Sequence, residues 1–189
     1  MVTRSEIKCA SISTGARSGG FGGLPADAER VILRNGSTVV IRPLAAGDEA
    51  AIARWFAGLS AETRHARFFG FLEQLDRRTE SALARVGHFN HEAIAALVAD
   101  GTTVGIARYL RPAGAGRRAR GCGGRRLAGS GIARVLLERI ATRARSVGIE
   151  PFTVMCLATN NTVVRLLSRL GPTAVGPSDA GLWWTSGSI

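Results

Sequence analysis

Lysine is almost missing from this chain. Of 25 basic residues only Lys8 is a lysine, and alanine, glycine and arginine abound, as a GC-rich gene would specify. Aromatic residues make up 6% of the chain and Tyr109 is the sole tyrosine, so the rings that interleave with cations on a nucleic-acid surface are scarce. Cys9, Cys122 and Cys156 are scattered without metal or disulfide spacing, and Cys156 sits in an apolar run that reads as core. No apolar run is long enough to span a membrane, and the amino-terminal stretch has no apolar core of signal-peptide length. A cytoplasmic protein with no membrane partner and no specific nucleic-acid partner is the expectation. Acidic residues number 14, so the formal charge is +11 and the pI about 11.4, a balance that ordinarily suggests a polyanion ligand. Five of the arginines, Arg117, Arg118, Arg120, Arg125 and Arg126, crowd one segment, and no nucleic-acid motif accompanies them.

What is present is patterned. Residues 1–28 are rich in Gly, Ser and Ala without periodicity and read as disordered, or as sequence upstream of the true start. A single α/β domain is expected over 29–189. Asn35-Gly36 between two β-branched runs, 31–33 and 38–41, predicts a hairpin. Asp48 is placed to cap a helix carrying Ile52, Trp55, Phe56 and Leu59, and Ser60 to cap a second. Glu92 to Ala99 and Thr103 to Leu110 read as paired strands joined by Asp100-Gly101. Ile132, Val135, Leu136 and Ile140 recur at helical spacing and Gly148 stops that helix. Phe152 to Leu157 reads as a buried strand. A last helix carries Val163, Val164, Leu166, Leu167 and Leu170 before Gly171-Pro172.

The stretch that carries chemistry is Ala128-Gly129-Ser130-Gly131-Ile132-Ala133-Arg134. Glycines let the backbone turn sharply and let a ligand approach the main chain. The helix that opens there leaves N–H groups without partners, with the positive end of its dipole behind them, which makes an anion site. A phosphate-bearing ligand held mainly by backbone is the expectation. The bland alternative is a plain turn that starts a helix. His88 and His91 stand in an H-x-x-H beside Glu92, too few ligands for a metal site, and read as histidines making ordinary hydrogen bonds. His65 reads as a surface residue of a helix. No metal ligand is assigned.

The order of Gly-rich turn, helix, buried strand, Asn and helix resembles the GNAT superfamily of N-acetyltransferases, on the branch that includes bacterial protein-lysine acetyltransferases. The family loop reads Gln/Arg-x-x-Gly-x-Gly/Ala. Gly131 and Ala133 fall on its last two positions and Ala128 departs from its first. A second register, Arg126-x-x-Gly129-x-Gly131, fits literally, but the first places Arg134-Val135-Leu136-Leu137 where the family helix begins. Leu59-Ser60-Ala61-Glu62-Thr63-Arg64 through Phe69 resembles the family's Leu-Ser-x-Glu-Ser-Arg-x-x-Arg-Phe-Phe signature. The resemblance implies a mixed, mainly antiparallel sheet flanked by helices, with acetyl-CoA as co-substrate and an amine acceptor, a small molecule or protein lysine. It implies cofactor contacts from Gly129, Ser130, Gly131, Ile132, Ala133 and Arg134, and from Asn160 near the pantetheine arm.

One segment does not fit. The family places a long central strand before the cofactor loop, often with a catalytic glutamate, and this chain has Gly and Arg from Ala113 to Leu127. Such a run predicts a disrupted central strand. Codons can be chosen for Arg120 to Gly129 that, read one base later, give Glu-Val-Ala-Val-Val-Ala-Asp-Trp-Gln-Gly. Codons for Leu182 to Ile189, read two bases on, give Val-Val-Asp-Leu-Gly-Ile-Asp. A shifted frame accounts for both. The position of the family's acid, a tyrosine, matches Leu167, the strand glutamate is missing, and Glu92 and Glu62 have nothing to mark them as substitutes. No catalytic residue is assigned. The expected function is an acetyl-CoA-dependent N-acetyltransferase, impaired as written. The alternatives are a degenerate non-catalytic domain that binds cofactor or a partner, and a basic polyanion-binding module.

Overall fold

In the computed structural model the described residues are 27–68, 72–111, 119–122, 130–149, 152–157, 161–168, 173–177 and 182–187. The expected disordered segment, 1–28, lies outside them apart from Asp27 and Ala28. The chain runs β1 (Glu29–Ile32), β2 (Thr38–Pro43), α1 (Glu49–Ala57), α2 (Ala61–Phe68), α3 (Arg77–Ala84), β3 (His91–Leu97), β4 (Thr103–Leu110), β5 (Ala119–Cys122), α4 (Ile132–Ser146), β6 (Phe152–Leu157), α5 (Asn161–Ser168), β7 (Thr173–Pro177) and β8 (Leu182–Gly187).

The eight strands of the described residues form one sheet in the order β1-β2-β3-β4-β5-β6-β8-β7. Every pair is antiparallel except β5–β6, where Ala119, Arg120 and Gly121 run alongside Phe152, Thr153 and Val154. The mainly antiparallel mixed sheet with helices is the architecture expected. The Asn-Gly hairpin forms, with Gly36 at φ +79° and Asn35 Oδ1 accepting the Ser37 N–H at 3.2 Å.

Alternation along the strands builds two cores. Ile94, Ala96 and Tyr109 face α4, where they meet Ile132, Leu136, Ile140 and Ala144. Ala93, Ala95 and Ile106 face the other way, against Ile52, Trp55 and Phe56 of α1 and Leu83 of α3. The helix α3 is an element that the apolar spacing does not announce. Asp76 caps it, accepting the Thr79 N–H at 2.6 Å.

One expectation is corrected. Asp48 occupies the N-cap position of α1 but makes no capping bond. Its carboxylate is taken by Arg42, with Nη1 and Nη2 each 2.7 Å away, and by the Ala45 N–H at 2.9 Å, because a bidentate charged donor outcompetes a backbone amide. Ser60 does cap α2, accepting the Thr63 N–H at 3.2 Å. Of the Gly/Arg segment, Ala119–Cys122 are described; they form β5, which pairs with β4 and β6 and keeps the sheet continuous, and the rest of the expected disruption lies outside the described residues. Ladder hydrogen bonds come from the main chain and do not require apolar side chains. Leu182–Gly187 pairs with both β6 and β7 in the residues as written, Leu-Trp-Trp-Thr being well suited to a strand.

Candidate functional site

The helix α4 begins where the loop leaving β5 arrives. Gly131 is its N-cap, at φ +78° in the left-handed region that L side chains rarely adopt. No side chain caps the helix and its first turn holds no acidic residue. The first amides, at Ile132, Ala133 and Arg134, therefore lack the usual Ser, Asp or Glu partner at the positive end of a 15-residue helix. Ser130 is buried and Gly131 half-buried, so this start is set into the protein surface. Ile132 and Ala133 bury their side chains in the core and offer only main chain.

Arg134 is exposed, and its guanidinium turns back along the helix to Glu138, with Nε 2.6 Å from Oε1. The chain around Gly131 is approached from another direction too. A Cβ added there would lie 3.7 Å from Cγ and Cδ of Arg34, in the β1–β2 turn. That is ordinary contact, so what a substitution costs at Gly131 is backbone strain and not collision. Gly129 and Asn160 lie outside the described residues. Arg34 is the neighbour that sequence spacing could not find, since 97 positions of chain separate it from Gly131.

Of the two carboxylates considered in place of the missing glutamate, Glu92 is engaged within the fold. Glu92 is buried on the α4 face of the sheet, where its Oε1 accepts the Ala93 N–H at 2.9 Å and lies 3.0 Å from His88 Nδ1. Its Oε2 accepts from Arg143 Nη1 at 3.3 Å. Such a carboxylate holds α4 to β3. Glu62 is exposed in the first turn of α2. Leu167, at the position of the family's tyrosine, is buried in the core beside α4.

On the opposite face Arg108 is buried and donates to the Leu83 carbonyl at 3.2 Å, at the C-terminal end of α3. Burial lowers its pKa to about 10, which still leaves it charged at neutral pH. His91 lies 3.4 Å from Arg108 Nη1 through its Nε2, and burial with that cation lowers its pKa to about 4. His91 is therefore a neutral acceptor. His88 and His91 make separate hydrogen bonds on the two faces, and among the described residues no three His, Cys, Asp or Glu side chains gather as a metal site.

No family model matches the chain, and no curated protein matches it. Solved structures do. The GNAT domain of PAT from S. lividans superimposes with a TM-score of 0.78 at 24% identity, over 88% of this chain and 100% of that domain. A GCN5-related N-acetyltransferase from Kribbella flavida gives 0.63 at 20% identity, over 80% of this chain and 98% of the other. A cAMP-binding acyltransferase from Mycobacterium smegmatis gives 0.57 at 19% identity, and there the match spans 86% of this chain but 47% of the longer protein. These superpositions show that the chain has the GNAT fold of the GCN5-related N-acetyltransferases.

Proposed function

We propose that this protein is an acetyl-CoA-dependent N-acetyltransferase that acts on an amine, with protein lysine among its acceptors, and that its turnover is impaired. The observation that carries the reading is the start of α4: a left-handed glycine, no capping side chain and no acid in the first turn, at the end of β5 in a GNAT fold. Main-chain amides of Ile132, Ala133 and Arg134 would hold the diphosphate of the co-substrate, with Ser130 and Gly129 completing the loop and Asn160 beside the pantetheine arm. The chemistry is direct transfer: a neutral amine attacks the thioester carbonyl while both are held together, so positioning supplies much of the rate. Main-chain N–H groups polarise the carbonyl, and a base takes the amine proton.

A cytoplasmic location belongs to the same proposal, as does the preference for acetyl over longer acyl groups. A second reading has its own support. The engaged Glu92 and the buried Leu167 favour a domain that binds the cofactor or a partner without turnover. Thermal shift with acetyl-CoA and with RNA tests binding. A rise in melting temperature with acetyl-CoA and none with RNA is expected, and the reverse would favour the basic polyanion module. Release of free thiol from acetyl-CoA in the presence of an amine then separates enzyme from binder.

A further inference from the structure

The β1–β2 turn delivers a cation to the start of α4. The aliphatic stem of Arg34 runs beside Gly131, as the 3.7 Å approach to a Cβ built there requires. The turn is closed by two main-chain bonds, Leu33 N–H to Ser37 O at 2.8 Å and Gly36 N–H to Leu33 O at 2.9 Å. The other end of β1 is clasped to the same helix: Arg139 donates to both carboxylate oxygens of Glu29, at 2.6 and 2.5 Å. From Glu29 to Arg34 is about 16 Å of extended chain, and from Arg139 to Gly131 about 12 Å of helix. The hairpin therefore lies along the first half of α4 with Arg34 at its tip.

A guanidinium there meets the positive end of the helix dipole, an arrangement that is repulsive until an anion enters. Among the described residues nothing supplies one. The first turn of α4 holds no acid, and Arg134 has its own partner in Glu138. Arg34 is exposed and has no hydrogen bond or ion pair to a described residue. From Gly101 to Leu137 the sequence holds eight arginines and not one Asp or Glu. Helix, turn and surrounding sequence all call for an anion from outside the chain.

We propose that Arg34 is a phosphate-binding residue of the cofactor site, reaching from the β1–β2 turn to a phosphate of the coenzyme A moiety. The proposal rests on the cofactor reading above and adds to it a residue from an element far from the loop. A planar guanidinium binds phosphate oxygens in pairs, which suits it to either the diphosphate or the 3′-phosphate.

Calorimetric titration with coenzyme A, dephospho-coenzyme A and pantetheine tests it. Arg34→Gln should weaken coenzyme A by about tenfold or more, and Arg34→Lys by less, at unchanged melting temperature. Equal losses on coenzyme A and its dephospho form place Arg34 on the diphosphate, and a loss confined to coenzyme A places it on the 3′-phosphate. Pantetheine binding should not respond. Arg77→Gln, which removes the same charge from α3, should change nothing. Wild-type affinity in Arg34→Gln, or an equal loss in Arg77→Gln, overturns the proposal while leaving the cofactor reading intact. A wild-type protein that binds pantetheine but shows no gain for coenzyme A overturns it as well, and one that binds neither overturns the cofactor reading itself.

Discussion

Arg143 on α4 and Glu92 on β3 meet across the face of the sheet, with Nη1 3.3 Å from Oε2 and the carboxylate 3% exposed. A buried carboxylate tied to a helix in this way is an anchor. Removing it leaves the Ala93 N–H and the half-buried Arg143 without their acceptor, so Glu92→Ala should destabilise the fold by about 1–3 kcal/mol. Glu92→Gln, which keeps the shape, should cost less. Urea denaturation measures both. A folded Glu92→Gln protein that loses thiol release while its stability is unchanged would instead mark Glu92 as a base.

Gly131 should resist every side chain. A left-handed residue with a Cβ costs about 1–2 kcal/mol, and a β-branched one more. We expect Gly131→Val to lower stability by at least that much and to weaken acetyl-CoA by more than tenfold. Chemical denaturation and ligand titration on the same sample separate the two effects. Unchanged affinity in a folded variant would remove the cofactor from this loop.

The protein should weaken in mild acid for a reason located at His91. Its pKa falls from 6.5 unfolded to about 4 folded, through burial and the neighbouring Arg108. The unfolded chain then binds more protons than the fold between those values. The stability it contributes is fully present above pH 6.5 and is lost as pH falls toward 4, by on the order of 1–3 kcal/mol. The carboxylates of Glu29 and Asp48, both held below their ordinary values by arginine partners, lose their contribution at lower pH still. Denaturation midpoints between pH 4.5 and 7 should fall with acidity in the wild type and flatten in His91→Gln.

Turnover should be slow. With a β5 of four residues, Glu92 engaged and Leu167 in place of an acid, we expect less than about 1 s⁻¹ for acetyl transfer to any amine. Steady-state thiol release at saturating acetyl-CoA measures it, and a rate in the ordinary enzyme range would show that a base has been missed.

The nucleotides under Arg117 to Ala128 decide the origin of the Gly/Arg run. In another frame they should read as an alternating apolar strand ending in Asp-Trp-Gln-Gly. Frames interrupted by stops, or with no such alternation, would make the segment a true part of the protein.

The elements that could be read from the chain are those whose periodicity is strong. Ile132, Leu136 and Ile140 mark α4 because one face of a helix must be apolar, and Asn35-Gly36 marks a hairpin because few residues turn so tightly. The helix α3 escaped because it buries only Leu83 and Ala84, too little to leave a stripe. The strand β5 escaped because main-chain pairing leaves no trace in a run of Gly and Arg. At the site, Gly131 was legible as a turn opening a helix. Arg34 was not, since its proximity is created by the sheet and by the Glu29–Arg139 clasp, and spacing along the chain carries no record of either.

The order of strands also sets how the chain can assemble. The strands β1 to β4 neighbour one another in chain order, and the hairpins β1–β2 and β3–β4 close through short turns, while β2 and β3 pair across the segment that holds α1, α2 and α3. The clasp between Glu29 and Arg139 spans 110 residues, and so long a loop closure is repaid only together with the packing of α4 on the sheet. Insertion of β8 between β6 and β7 must come later again, since β6 and β7 never touch without it. A ribosome releasing this chain would therefore present β1 to β4 before α4, the helix that covers one face of their core, had been made.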